Sequence, residues 1–300
     1  MSFTFTHRRG IEKQVRQIAR EQIGKALEAC ADTHAEFDAV VHGLRRRCKK
    51  LRGLVRLVEP HLDGSKTEDR AFRDAARSLS GSRDAAVMAE TFEAVRAFDR
   101  KSGERIEPSE GKAILRWLQS RVGQTPTGTA RKQMLGEFVG IFERADKRAR
   151  DWSLSGKGFA KIGDGLEATY RLMRQGLRDA EQEGTAELLH EWRKHTKYHW
   201  HHVSLLEPSA PDMLAPRRKL LDRLGEALGD HHNLHVLAET LGDYDDAKPD
   251  ALAAVHRAIA ALQDELARDA FVLGRQLTAE TSSSLGDRFG RYWALLPRES

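Results

Sequence analysis

The sequence contains one basic pattern twice, and this repeat constrains the fold more than any other feature. The first copy runs from Val41 to Lys49, and the second runs from Leu189 to Lys197. Both read apolar-His-x-apolar-Arg-basic-basic-x-Lys, and their histidines are 148 residues apart. Residues three and four apart lie on one face of a helix, so the His, the first Arg and the Lys of each copy share a face. We therefore predict two helices that each carry a row of cations.

An apolar stripe accompanies the first row. Arg52 and Arg56 continue the cations beyond Lys49 at helical spacing. The neighbouring apolar positions are Val41, Leu44, Cys48, Leu51, Val55 and Val58. The stripe predicts a packed face, and the cation row is left to face water or an anion.

A second, weaker echo follows each copy. The segment from Ser80 to Val87 is similar to the segment from Leu228 to Val236. Asp84 and Asn233 hold corresponding positions and are separated by 149 residues. Two motifs that keep their order and spacing favour an internal duplication. We predict two related halves, residues 1–152 and 153–300, about a pseudo-twofold axis. The Gly-rich segment 152–158 is the expected joint between them.

The apolar residues recur at helical spacing almost throughout, and no run alternates as a strand does. The predicted fold class is all-α, with helices joined by short polar loops into bundles. The predicted helices span 10–31, 34–59, 67–79, 82–101, 108–122, 128–151, 159–183, 185–206, 212–229, 231–242 and 249–280.

Composition limits the function classes. Fifty Lys and Arg against 45 Asp and Glu leave a net charge of +5, which is too small for a general nucleic-acid coat. The two cysteines, Cys30 and Cys48, have no metal spacing and are expected to be reduced. The N-terminus lacks an apolar signal region, and no run approaches the roughly 20 apolar residues that span a bilayer. We expect a cytoplasmic protein without a membrane partner.

The twin motifs resemble the CHAD domain, the conserved histidine α-helical domain, over nearly the whole chain. The resemblance implies two four-helix bundles related by pseudo-twofold symmetry, with basic residues of both halves lining a central cavity or pore. It also implies binding of inorganic polyphosphate, with location at polyphosphate granules and granule-associated proteins as further partners. The residues implicated are His42, Arg45, Arg46, Lys49, Arg52, Arg56, Arg83, Arg171, Arg174, His190, Arg193, Lys194 and Lys197.

The second half departs from the family pattern. Trp200, His201 and Ser204 follow Lys197, and His232-Asn233 stands where an Arg-Asp pair is expected. Asp84 is interpreted as a residue that orients a cation, because a carboxylate would repel an anion directly, and Asn233 as its uncharged counterpart.

This set of side chains suits a flexible chain of phosphoryl units. Arg offers a planar fork to two oxygens, and Lys offers a compact charge that tolerates a sliding ligand. His42 and His190 would hydrogen-bond as neutral groups or gain charge at mildly acidic pH.

Three alternatives remain open on the sequence. The pairs His195/His199 and His231/His235 have a spacing that can chelate a metal, but HExxH, paired cysteines and nearby carboxylates are missing, so we predict neither a metal nor a cofactor. A phosphohydrolase or phosphoryl transferase is disfavoured because an acidic ligand pair and a Gly-rich phosphate loop are not found, and no catalytic residue is assigned. A nucleic-acid-binding helical protein is permitted by the pI of about 9.2, although no specific nucleic-acid partner is expected.

Overall fold

The computed structural model describes residues 3–79, 82–103, 105–123, 127–244 and 249–298, with the backbone alone for 82–84. Within these ranges the chain is all-helical, as predicted. The helices are α1 (Ile11–Ala31), α2 (Phe37–Val58), α3 (Ser65–Ser78), α4 (Ser82–Ser102), α5 (Pro108–Ser120), α6 (Gly128–Arg150), α7 (Ala160–Glu183), α8 (Ala186–Leu206), α9 (Pro211–Leu241), α10 (Pro249–Leu277) and α11 (Ser282–Trp293). A 3-10 turn, Glu207–Ser209, connects α8 to α9.

The helices pack in two bundle-like groups. Helices α1, α2, α3 and α6 contact one another, and so do α7, α8, α9 and α10. Helix α2 contacts both α7 and α8 and joins the groups. Helix α11 packs on α7, and the α4–α5 hairpin packs on α9 and α10.

Each buried cluster of apolar side chains draws on both halves of the sequence. The larger one includes Phe72 and Phe142 from the first half with Trp192 and Phe289 from the second. The smaller one joins α4 and α5 to α9 and α10. Because apolar burial stabilises at about 25 cal/mol per Å², this shared burial ties the two halves together.

The segment between α6 and α7 is fixed to the first bundle. Trp152 and Leu154 are buried in the larger core. The backbone N–H of Leu154 donates to a Glu12 carboxylate oxygen at 2.9 Å, and Ser155 N–H donates to the His61 carbonyl at 3.0 Å. The predicted joint is therefore an ordered crossing.

Two helix predictions were wrong. The predicted break at Gly229 is absent, because α9 runs unbroken through it. Glycine serves here for close packing: a Cβ at Gly229 would lie 3.1 Å from Arg193 Nε. Helix α11 was missed, although Thr281 caps it by accepting the Ser284 N–H at 3.1 Å.

Two glycines bring α2 close to its neighbours. A Cβ at Gly165 of α7 would lie 2.1 Å from the Leu57 carbonyl oxygen, and one at Gly53 of α2 would lie 2.6 Å from His201 Cβ. Helices α2 and α8 thus cross at Gly53 and His201, two positions 148 residues apart like the motif histidines. His202 Nε2 donates to the Gly53 carbonyl at 3.0 Å across this crossing.

Candidate functional site

A cavity of about 770 Å³ lies between α2, α3, α7 and α8, where the two bundles meet. Seven cationic side chains line it against three carboxylates, a surplus of four positive charges. The whole chain has a formal net charge of only +5, so the charge is concentrated here. The charged lining residues are Arg45, Lys49, Arg52, Arg56, Glu59, Asp69, Arg73, Arg77, Glu191 and Lys194.

Helix α2 supplies four of the cations: Arg45, Lys49, Arg52 and Arg56. Their spacing places them along one edge of the helix, next to the buried apolar stripe that the sequence predicts. Burial of that stripe fixes the rotation of α2 and leaves the cation row at the cavity. The row predicted for the first motif is therefore brought together by the fold.

An acidic side chain from α3 orients the two inner arginines. Arg52 Nε donates to Asp69 Oδ1 at 2.9 Å, and Arg56 Nη2 donates to Asp69 Oδ2 at 3.3 Å. Arg56 also donates to Glu59 Oε2 at 2.8 Å. Both guanidinium carbons lie 5.5 Å from the centroid of the Tyr198 ring on α8. Hydrogen bonds and the aromatic face together limit how far these two forks can move.

Helix α3 contributes cations that the sequence analysis missed. Arg73 and Arg77 are one helical turn apart and line the cavity opposite the α2 row. Asp69 precedes Arg73 by one turn on the same helix. The i, i+4 spacing of a carboxylate and two arginines directly after the first motif was the available signal.

Helix α8 presents a different edge from the one predicted. His190 and Lys194 line the cavity, as do His195 and Tyr198, which were not assigned to the site. Burial, reinforced by Arg193 and Lys194, lowers the pKa of His190. Burial also lowers the pKa of His195, with Lys194 and Arg56 adding to the effect against Glu191. Both imidazoles are accordingly neutral near pH 7.

Arg193 and Lys197 face α9 and do not line the cavity. The Arg193 side chain lies against Gly229, and burial lowers its pKa, with Asp230 acting in the opposite direction. Lys197 Nζ contacts Asp222 Oδ1 at 3.2 Å and lies 5.6 Å from the centroid of the Trp200 ring. The second motif therefore shares its spacing with the first but not its orientation.

Helix α7 closes the cavity with a wall that carries no charge. Gly165, Ala168, Thr169 and Leu172 line it, and Leu172 is 47% exposed. Arg171 and Arg174 are outside this lining: Arg171 is exposed near Glu167, and Arg174 is half-buried. A low-dielectric wall opposite a row of charges strengthens the electrostatic field in the cleft.

The remaining sequence candidates lie elsewhere. His42 and Arg46 are exposed on α2 beside the cavity and do not line it. Asn233 lies in a separate groove between α4, α9 and α10, together with Asp230. The side chains of Arg83 and Asp84 are outside the described residues.

The histidines considered for a metal are divided among several environments. His195 lines the cavity, whereas His199 is buried beside Tyr170, with ring centroids 5.1 Å apart. The rings of His232 and His190 lie 4.2 Å apart between centroids and are tilted by 40°. In the part of the chain that the structure describes, His, Cys, Asp and Glu do not form a group of three suited to a metal ion. No described helix is long and apolar enough to cross a membrane.

Comparisons with known proteins agree with this architecture. No curated protein matches the chain in sequence. Among solved structures, the fold is similar to that of PptA from Streptomyces chartreusis, with a TM-score of 0.59 and 14% sequence identity. That alignment covers 90% of this chain and 99% of PptA. The CHAD domain family model matches residues 17–242, which is well over half of the sequence. The chain therefore belongs to the CHAD domain family.

Proposed function

We propose that the cavity between the two bundles binds inorganic polyphosphate. The surplus of four positive charges in this one cleft carries the proposal. The three cavity carboxylates are ion-paired, Asp69 with Arg52 and Arg56, Glu59 with Arg56, and Glu191 with Lys194, and the surplus of four remains after their charges are subtracted. An anion with charge on every unit matches such a surface better than a ligand with a single charged group.

The lining suits a polymeric ligand whose phosphoryl units are all identical. Arg45, Arg73 and Arg77 can offer forked donors to successive phosphoryl groups, while Lys49 and Lys194 offer point charges that tolerate sliding. The cavity volume is within the roughly 300–1,000 Å³ of typical ligand pockets, so it accommodates only a few phosphoryl units at a time. The neutral His190 and His195 can donate or accept hydrogen bonds at the edge.

Two broader proposals accompany the site. We infer that residues 1–152 and 153–300 are related halves of one domain, an idea supported by the two helix groups and by the Gly53–His201 crossing at the repeat interval. We also infer a non-catalytic role in targeting, storage or scaffolding at polyphosphate granules, where granule proteins would be its partners. The basic cavity supports the binding step of that role.

A competition titration tests the proposed ligand. Labelled polyphosphate is bound to the protein at several salt concentrations and displaced by unlabelled polyphosphate or by RNA with the same number of phosphates. We expect unlabelled polyphosphate to displace the labelled ligand at a concentration at least tenfold lower than RNA does. The reason is that the ribose units hold successive phosphates of RNA farther apart. By analogy with B-DNA, log affinity should fall against log salt with a slope of about −0.9 for each phosphate engaged. Equal displacement by RNA would indicate a general polyanion site, and absence of binding would refute the proposal.

A further inference from the structure

A groove of about 610 Å³ lies between α4, α9 and α10, apart from the cavity of the candidate site. Its α4 wall extends from Val87 to Ser102. At 1.5 Å per residue, this wall is about 22 Å long. We call this surface the α4 groove. The apolar side chains that line its walls are Val87, Ala94, Ala97, Phe98, Leu262 and Leu266.

The apolar lining of the α4 groove is partly open to solvent. Val87, Phe98, Leu262 and Leu266 are half-buried, and Ala94 is exposed. On α4 the apolar positions follow one another at intervals of three, four or seven residues, so they form a single edge of the helix. Covering this edge with another apolar surface is favourable because it removes the edge from water.

The charge of the α4 groove is opposite to that of the cavity. Glu90, Asp230 and Glu265 line it against the single cation Lys101, which leaves an excess of two negative charges. Burial, reinforced by Glu226, raises the pKa of Asp230, with Arg193 acting in the opposite direction. The groove is thus acidic within a chain whose net charge is +5. Charge complementarity therefore favours an occupant that carries cations.

The walls of the α4 groove favour a helix as the occupant. All three walls are helices, whose backbone groups are already bonded within each helix. The Thr91 hydroxyl is also used, since it donates to the Val87 carbonyl at 2.7 Å. An extended peptide would find few partners for its backbone here, whereas a helix satisfies its own. The small side chains of Ala94 and Ala97 allow a neighbouring helix to approach closely.

We propose that the α4 groove docks a basic amphipathic helix, about four turns long, of a partner protein. The apolar face of that helix covers the groove, and Lys or Arg residues on its flanks meet Glu90, Asp230 and Glu265. Lys101, near the C-terminal end of α4, favours the C-terminus of the docked helix at that end. Among the described residues, the groove and the cavity have no lining residue in common. The protein can therefore hold an anion and this partner together, and the docking proposal does not depend on the ligand of the cavity.

A peptide probe and a charge variant of the full chain test this proposal. The probe is a fluorescein-labelled peptide of about 16 residues, with Leu and Ala on one helical face and Lys on both flanks. One control peptide has the same composition in an order without an apolar face, and another has Glu in place of each Lys. The charge variant carries Glu90→Gln and Glu265→Gln. Its matched control carries Glu143→Gln and Glu183→Gln, which are exposed outside the groove.

A second variant obstructs the α4 groove without changing its charge. Ala94→Gln places a longer side chain in the middle of the α4 wall. Ala260→Gln, exposed on α10 outside the groove, is the matched control. Circular dichroism confirms that each variant is folded, and a separate titration with polyphosphate should show affinity within twofold of wild type for all of them. A failure of peptide docking is therefore distinguishable from a failure of the cavity proposal.

Fluorescence anisotropy should show that the basic amphipathic probe binds at least tenfold more tightly than either control peptide. The charge variant and Ala94→Gln should each bind it about tenfold more weakly than their matched controls, and the effect of the charge variant should shrink at high salt. Equal binding of the scrambled peptide, or unchanged binding by either groove variant, would overturn the proposal. Sedimentation velocity without peptide should show a monomer. A dimer that Ala94→Gln dissociates would assign the groove to a second copy of the chain and would also overturn it.

Discussion

Preorganised arginines are the central feature at the scale of single residues. Asp69 accepts hydrogen bonds from both Arg52 and Arg56, and the Tyr198 ring lies against both guanidinium groups. Long side chains held in this way lose less conformational entropy when they bind a ligand. The aromatic ring is thus expected to assist anion binding without touching the anion.

Replacement of Tyr198 tests this role. Tyr198→Leu should weaken binding of polyphosphate about tenfold, because a cation–π contact contributes about 0.5–1 kcal/mol for each arginine. Tyr198→Phe keeps the ring face and should bind within twofold of wild type. Fluorescence anisotropy with labelled polyphosphate measures both. Equal binding by the Leu variant would show that Asp69 alone orders the arginines.

The contact between α2 and α7 depends on Gly165. A Cβ there would overlap the Leu57 carbonyl, which is backbone and cannot move aside as a side chain can. Gly165→Ala should therefore destabilise the protein by about 1–3 kcal/mol or more. Gly136→Ala on α6 is the matched control, since nothing lies within 4 Å of its added Cβ, and it should stabilise by about 0.5–1 kcal/mol. Urea unfolding of both variants measures the change in the free energy of unfolding. An unchanged free energy in Gly165→Ala would contradict the close approach of α2 and α7.

Several residues of the cavity lining were predictable as one helix edge from spacing alone. Arg45, Lys49, Arg52 and Arg56 follow from one basic row beside one apolar stripe. Arg193 lies outside the cavity lining, because spacing tells which residues share a helix face but not which neighbouring helix that face meets. The orientation of α8 depends on Gly225 and Gly229 of α9, which leave room for the side chains of Lys197 and Arg193. This fit is a property of α8 and α9 packed together and cannot be read from either helix alone.

At the scale of secondary-structure elements, the main feature is that helix α8 places three histidines in the protein interior. His199, His201 and His202 are all buried. Burial lowers the pKa of His201 to about 3, with His202 and nearby lysines adding to the effect. Burial likewise lowers the pKa of His202 to about 3, against its bond to Gly53, and places that of His199 well below its usual value. The α2–α8 crossing thus requires neutral imidazoles.

This burial predicts acid sensitivity. The unfolded chain binds protons at these histidines below about pH 6.5, whereas in the folded chain His201 and His202 do not bind them until near pH 3. Their stabilising contribution is complete above about pH 6.5 and falls as the pH drops toward 3, by about 1.4 kcal/mol per pH unit for each histidine.

Variants identify the histidines responsible. His202→Gln retains a donor for the Gly53 carbonyl and should make the dependence of unfolding free energy on pH shallower by about one proton between pH 6 and 4.5. The exposed His34→Gln should leave the dependence unchanged. Urea unfolding at a series of pH values measures both. A slope unaffected by His202→Gln would contradict a neutral, buried His202.

The prediction of individual helices failed where tertiary packing overrides local signals. In the sequence, Gly229 is typical of a helix C-terminus, yet α9 continues through it. The Arg193 side chain packs against the position that a Cβ would take there. Helix α11 has a Thr281 cap and buried Leu285, Phe289 and Trp293 at a spacing of four. Its sequence signal was therefore present, although the helix is short and follows a long one.

The whole molecule combines a modest net charge with a strongly uneven distribution. A surplus of four positive charges lies in one cavity of a chain with a total of +5. The all-helical class was predictable from periodicity. The family resemblance implied a basic cavity, but the full lining of the observed one was not predicted, because α3 contributes to it outside the repeated motif and α7 contributes an uncharged wall. Only the packing of α2 against α7 and α8 brings these parts together.

The most direct test of the account compares two variants with the same net charge in binding long polyphosphate. The first replaces Arg45, Lys49, Arg77 and Lys194 in the cavity with Gln. The second replaces the exposed Arg178, Arg257, Arg268 and Arg291 with Gln. If each lost contact is worth about 1 kcal/mol, the cavity variant should bind about a hundredfold or more weakly than wild type, and the surface variant within about threefold. Similar losses in both variants would mean that total charge, and not the cavity, determines binding.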